Sequence, residues 1–328
     1  MKKFLYIIFV FIIFSCDDGD IVFQDSTFTS NELKSCNLVT PENFYLFKIE
    51  GDKSLILQLG NAAANLFKRE LTNSAPRTIA ISGNIKLIER VYNRALGPND
   101  ICNLLPPTGL QVTREWQSVS GTISVTTTAI RTEPNANGET RIQKFRHQIV
   151  VNNLTINRDG QLQTFDVYPV GFYEEAANAI PSFNSAIKKC PSSNRYYLNN
   201  NNSIFELVLP DAMFANVNTP VGAPRQTLIS STNTLTLRQF PFEIPTDVCS
   251  VQNNTAIEVW VADNGVANLS GIIEVITTSA PNPTNPAETD YSHKVTLKKI
   301  KFKRSIPNDG LDFQYGDVIE MGVYNVRI

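Results

Sequence analysis

Residues from about 36 to 173 realign on residues from about 190 to 324, which constrains the chain to fold as two units of one plan. Cys36 matches Cys190, Ser54–Leu59 matches Ser203–Val208, and Ala75-Pro-Arg77 matches Ala223-Pro-Arg225. Pro98–Cys102 matches Pro245–Cys249, and Ser120–Val125 matches Ser270–Val275, each running on into threonines and then a Pro/Asn loop. The two histidines, His147 and His293, open the next strand in each copy, and Gly171-Phe-Tyr173 and Gly322-Val-Tyr324 close them. The spacing drifts only from 146 between the histidines to 154 between the first cysteines, which chance likeness between β-rich segments does not maintain.

The repeat also addresses the cysteines. Four of them follow Cys16, and four allow three connectivities. Each copy carries its own pair, so the economical choice is Cys36 with Cys102 and Cys190 with Cys249; free buried thiols are the alternative.

Within each copy the pattern is strand after strand. Ile149 and Val151 alternate with polar neighbours, Asn152-Asn153 breaks the period, and Leu154 and Ile156 resume it. Val295 and Leu297, Lys298-Lys299, then Ile300 and Phe302 repeat the same break. Two polar residues between alternating pairs shift a period-two pattern by one, which predicts a bulge or a corner. Residues 134–138 and 281–286 read as equivalent hairpin loops, and Asp159-Gly160 and Asp309-Gly310 as turns. The best helical candidates are 60–71 and 174–189. The expected fold is all-β: two tandem, internally duplicated β-sandwich domains over 36–173 and 190–328, joined by a linker at 174–189.

What precedes the repeats is an address. Lys2 and Lys3 lead an apolar run, Phe4 to Phe14, too short to cross a bilayer of ~30 Å but suited to a signal-peptide core. Ile13-Phe-Ser-Cys16 resembles a bacterial lipobox, although Phe14 is bulkier than the pattern prefers. The resemblance implies that 1–15 are removed, that Cys16 is lipidated, and that 16–35 form a tether. Asp17, Asp18 and Asp20 resemble the export signal of surface lipoproteins of Bacteroidota, which implies an outer-membrane lipoprotein exposed at the cell surface. The layout is similar to that of the tandem β-sandwich lipoproteins that accompany glycan uptake in that group, which implies a glycan ligand but supplies no binding residue.

The 29 Lys and Arg against 31 Asp and Glu, with two lysines in the leader, leave a mildly acidic chain that does not point to nucleic acid. No nucleophile elbow, phosphate loop or zinc spacing is present, so neither a catalytic group nor a cofactor is expected. The binding candidates are Trp116 and Trp260, as sugar-stacking rings or as core, and His147 and His293, more simply read as strand-end residues bonded to a loop. Lys294, Lys298, Lys299, Lys301, Lys303 and Arg304 share one strand, facing an anionic partner or guarding a sheet edge. The function expected is non-catalytic binding at the cell surface, of a glycan or other extracellular polymer. The rivals are a structural or adhesive protein with an envelope protein as partner, and an enzyme with a loop-built site.

Overall fold

A computed structural model describes residues 28–36, 43–72, 75–103, 107–245, 248–251 and 255–328. The leader, Cys16 and the acidic run at Asp17–Asp20 lie outside the described residues. The expected all-β fold is the one observed. Eight strands make the first sheet: β1 (Lys34–Ser35), β2 (Tyr45–Glu50), β3 (Lys53–Gln58), β4 (Arg77–Ala80), β5 (Lys86–Tyr92), β6 (Val112–Arg131), β7 (Ile142–Arg158) and β8 (Gln161–Ala176). Nine make the second: β9 (Ala186–Lys189), β10 (Arg195–Asn200), β11 (Ser203–Val208), β12 (Arg225–Leu228), β13 (Leu235–Gln239), β14 (Glu258–Ala262), β15 (Ile272–Pro281), β16 (Thr289–Ile306) and β17 (Asp312–Arg327).

The strands of each half are hydrogen-bonded into one connected set, and each set is joined between its first and last segments. In the second half β9 pairs antiparallel with β10 and parallel with the last strand, β17. In the first half, β1 pairs with β2, and backbone bonds from Leu33 to Phe172 and from Phe172 to Asn31 tie the same segment to β8. The repeated glycines permit this closure. Gly171 and Gly322 have φ of +134° and +155°, and a Cβ on either would meet a backbone carbonyl, that of Asn31 or Ser185.

The repeated break in apolar pattern is a structural device, as its spacing predicts. Asn153 and Lys299 take the left-handed conformation, φ 50° and 51°. At Lys299 the long strand β16 changes neighbour, from β15, which pairs up to Lys298, to β14, which pairs from Phe302. At Asn153 the ladder with β6 skips, Thr122 facing Asn152 and Ser120 facing Thr155. β6 runs unbroken where the second half has β14 and β15 joined by a loop.

The two disulfides are Cys36–Cys102 and Cys190–Cys249, with Cα atoms 5.4 and 5.7 Å apart. The helical expectations are corrected. Only Gly60–Ala62 and Ala63–Leu66 turn helically in the first candidate stretch. The second stretch holds the end of β8 and all of β9, because its apolar residues are recruited to sheet closure and to the interface between halves. No helix among the described residues is long and apolar enough to cross a membrane.

Candidate functional site

The histidines lie inside β7 and β16 rather than at their starts, and both are fully buried. Each Nδ1 is held by a threonine of the neighbouring strand, and the expected loop contact is made by His293 alone, whose Nε2 lies 3.2 Å from Asn216 Oδ1. His147 Nδ1 lies 2.9 Å from Thr127 Oγ1, which accepts from Arg77 Nη1 at 2.9 Å. His293 Nδ1 lies 2.8 Å from Thr277 Oγ1, which accepts from Arg225 Nη1 at 2.7 Å. Tyr173 and Tyr324, the tyrosines of the closing motifs, stack on the rings at 6.0 and 5.8 Å. Burial, then the Arg77 and Arg69 charges, push His147 down to about 4, and burial with Arg225 lowers His293. A neutral ring without solvent access is a packing and hydrogen-bonding unit, not a proton shuttle.

The tryptophans do not align in sequence, yet each lies beneath an equivalent arginine. Arg158 ends β7 and stands over Trp116 at 5.2 Å; Arg304, near the end of β16, stands over Trp260 at 5.6 Å. Phe313 meets Trp260 edge-on at 4.9 Å, and Trp260 is only 6% exposed. A guanidinium therefore already covers one face of both rings. The signal that finds Arg158 and Arg304 in the sequence is their equivalence, 146 apart, each ahead of an Asp-Gly turn.

The lysine-bearing strand is not an edge: β16 is bordered by β14 and β15 on one side and β17 on the other. Three of its lysines pair with cross-strand acids, Lys298 with Glu274 at 2.7 Å, Lys301 with Asp312 at 2.8 Å and Lys294 with Glu320 at 2.5 Å. The edge reading fails because the second sheet closes through the neighbouring β17.

What the structure adds is a cleft of about 770 Å³ where the two halves meet. Phe67 and Phe145 of the first half, Ile180 of the connecting segment, and Leu237, Trp260 and Phe313 of the second give it apolar walls. Three acids line it, each matched by a guanidinium: Glu70 to Arg77 at 4.0 Å, Glu175 to Arg69 at 3.2 Å, Glu258 to Arg304 at 3.5 Å. Burial raises the Glu258 carboxyl above its usual range, against the opposing pull of Arg304 and the Trp260 indole. Arg304 fastens this wall to the first half. It donates to the Arg69 carbonyl at 2.8 Å and pairs with Asp309, whose Oδ2 accepts the Leu71 backbone N–H at 2.8 Å. Burial opposes ionisation of Asp309, but Arg304 and two backbone N–H groups hold its carboxyl below the usual range. The β6–β7 hairpin also docks on β17, with Thr140 N donating to the Gln314 carbonyl at 3.0 Å and Arg131 to Asp312 at 2.8 Å. Among the described residues no group of three His, Cys, Asp or Glu is placed to hold a metal ion.

No family model matches this sequence, and no curated protein matches it. A solved structure of an inactive mutant of the CurJ dehydratase, in complex with a compound, is 10% identical over 85% of this chain and 95% of that one. Its TM-score is 0.11, too slight a likeness to carry an argument about fold or activity.

Proposed function

We propose that the protein is a lipid-anchored surface protein of two duplicated β units that acts by binding, its ligand lodging in the cleft between the halves. The observation that carries this reading is the cleft itself. It falls within the ~300–1,000 Å³ typical of small-ligand sites, with apolar walls and a few fixed polar groups, at a junction between units. Its carboxylates are each tied to a guanidinium, the arrangement of an ion-paired wall rather than of a free acid and base. Sugar stacking on Trp116 or Trp260 has less support, since arginines occupy a face of each ring. A test compares the chain from residue 17 onward with its Ala179→Trp variant, which fills the cleft from an exposed lining position. Ligand binding, screened on glycan and lipid arrays, is expected for the parent and lost in the variant. Equal binding by both removes the cleft reading, and chemical turnover of a bound ligand transfers the case to an enzyme. Lipidation is tested separately: labelled palmitate is expected in the wild type and absent from Cys16→Ala.

A second reading, a structural protein docking on an envelope partner, is favoured by large apolar side chains left exposed on the first sheet. Leu162 is 65% and Val167 60% exposed. Its mark is a membrane protein that co-purifies with the wild type and not with Leu162→Lys/Val167→Lys.

A further inference from the structure

The donors of the cleft are not all spent. Arg69 and Arg304 are consumed by Glu175 and Asn178, and by Asp309 and Glu258. Arg141 is different. Its Nη2 reaches Glu139 at 3.3 Å, but its Nη1, an atom sealed from solvent, has no hydrogen-bond partner among the described residues. Lys68, exposed on the same lining, has no hydrogen bond or ion pair among the described residues. An unmade guanidinium bond in such a place costs more than it would in water, and a turn of the side chain, which is 38% exposed, would present it to an acceptor carried in by a ligand. The same lining carries the apolar Ile142, Phe145 and Phe313.

The geometry points to an amphipathic monocarboxylate as the ligand of this cleft, its carboxylate taken by Arg141 and Lys68 and its apolar body laid along Ile142, Phe145 and Phe313. The inference rests on the cleft being the binding site. It excludes two other ligand types: a cation would meet acids already neutralised, and a neutral polyol would leave the apolar wall without a match.

The probes are dodecanoate, dodecanol and cellohexaose, titrated calorimetrically into the chain from residue 17 onward, which keeps every described residue. Dodecanoate is expected to bind at least tenfold more tightly than dodecanol. Arg141→Met is expected to remove about that factor for the acid and leave the alcohol unchanged, with Lys68→Met acting in the same direction by less. Ala179→Trp is expected to abolish both, and thermal melts of the three variants confirm that the fold is kept. Equal affinity for acid and alcohol, indifferent to Arg141→Met, overturns the head-group assignment while leaving the cleft as the site. Cellohexaose binding that Ala179→Trp blocks does the same. Probes that bind the parent and Ala179→Trp alike, or no probe binding at all, overturn the inference; in the first case the cleft reading falls with it, and in the second it passes to the array screen.

Discussion

Arg158 and Arg304 occupy the same place in the two halves and do different work. Arg158 stays within its own half, 2.8 Å from Glu89 and over Trp116. Arg304 pairs with Asp309, stands over Trp260, and also crosses into the other half, over Phe145 at 5.6 Å and onto the Arg69 carbonyl. The cation keeps its position while its acid has moved, from β5 to the turn before β17. A buried arginine needs a counter-charge of good geometry but not from a given strand, so the partner is free to drift so long as the charge is met. In the second half that drift brings a carboxylate to the interface, where it accepts a backbone N–H of the first.

The largest effect should separate the two arginines. Arg304→Met strands Asp309 as a buried unpaired charge, a loss of about 3–5 kcal/mol, and it also cuts the ties to Arg69 and Phe145. Arg158→Met should cost a comparable amount but leave the interface intact. Denaturant unfolding with limited proteolysis reads both: early cleavage between the halves is expected only for Arg304→Met, and an equal pattern in both variants breaks the comparison.

Next in size are the disulfides, which close loops with sequence separations of 66 and 59. The chain-entropy model gives each up to ~4 kcal/mol, with little between them. Paired Cys→Ala variants, Cys36 with Cys102 and Cys190 with Cys249, should lower the unfolding midpoint similarly; a one-sided effect would show that one half alone carries the stability.

The histidines supply a smaller, pH-dependent contrast. The His147 pKa falls from an unfolded value near 6.5 to about 4 in the fold. Its stabilisation is therefore complete above pH 6.5 and is lost as pH falls toward 4, by at most ~3 kcal/mol from the size of the shift. His293 differs in that Nε2 has a partner, Asn216 Oδ1 at 3.2 Å, whereas His147 Nε2 has none among the described residues. His147→Gln should flatten the decline of stability between pH 6.5 and 4, measured by urea midpoints, and an unchanged slope contradicts the assignment. The smallest effect belongs to the surface: Lys294→Met breaks a pair whose side chains are 47% and 52% exposed and should move stability by less than ~0.5 kcal/mol.

Much of the fold is legible in the sequence because duplication writes each signal twice. The cysteine pairs, the break at Asn153 and Lys299, and the closing glycines all recur in register and correspond to bonds, bulges and close approaches. What is not legible is non-local. Joining the first and last segments of each half depends on short pieces, Asn31–Leu33 meeting β8 and the four-residue β9 meeting β17, and pieces that short carry no periodic signal. The cleft is assembled from residues 67–70, 141–145, 175–180, 237–239, 257–260 and 304–313, none of which forms a motif alone. The histidines attract notice through their scarcity, but their threonine, arginine and tyrosine partners come from other strands and settle them into the core.

Two tryptophans, one in the body of the first half and one on the cleft wall, make the claim that the cleft is the binding site directly measurable. Trp116→Phe leaves Trp260 as the single indole emitter, and Trp260→Phe leaves Trp116. Titrated with dodecanoate, the Trp116→Phe chain should show a saturable change in indole emission and the Trp260→Phe chain none. A response confined to the Trp260→Phe chain would place the ligand in the first half, away from the cleft, and would contradict the account.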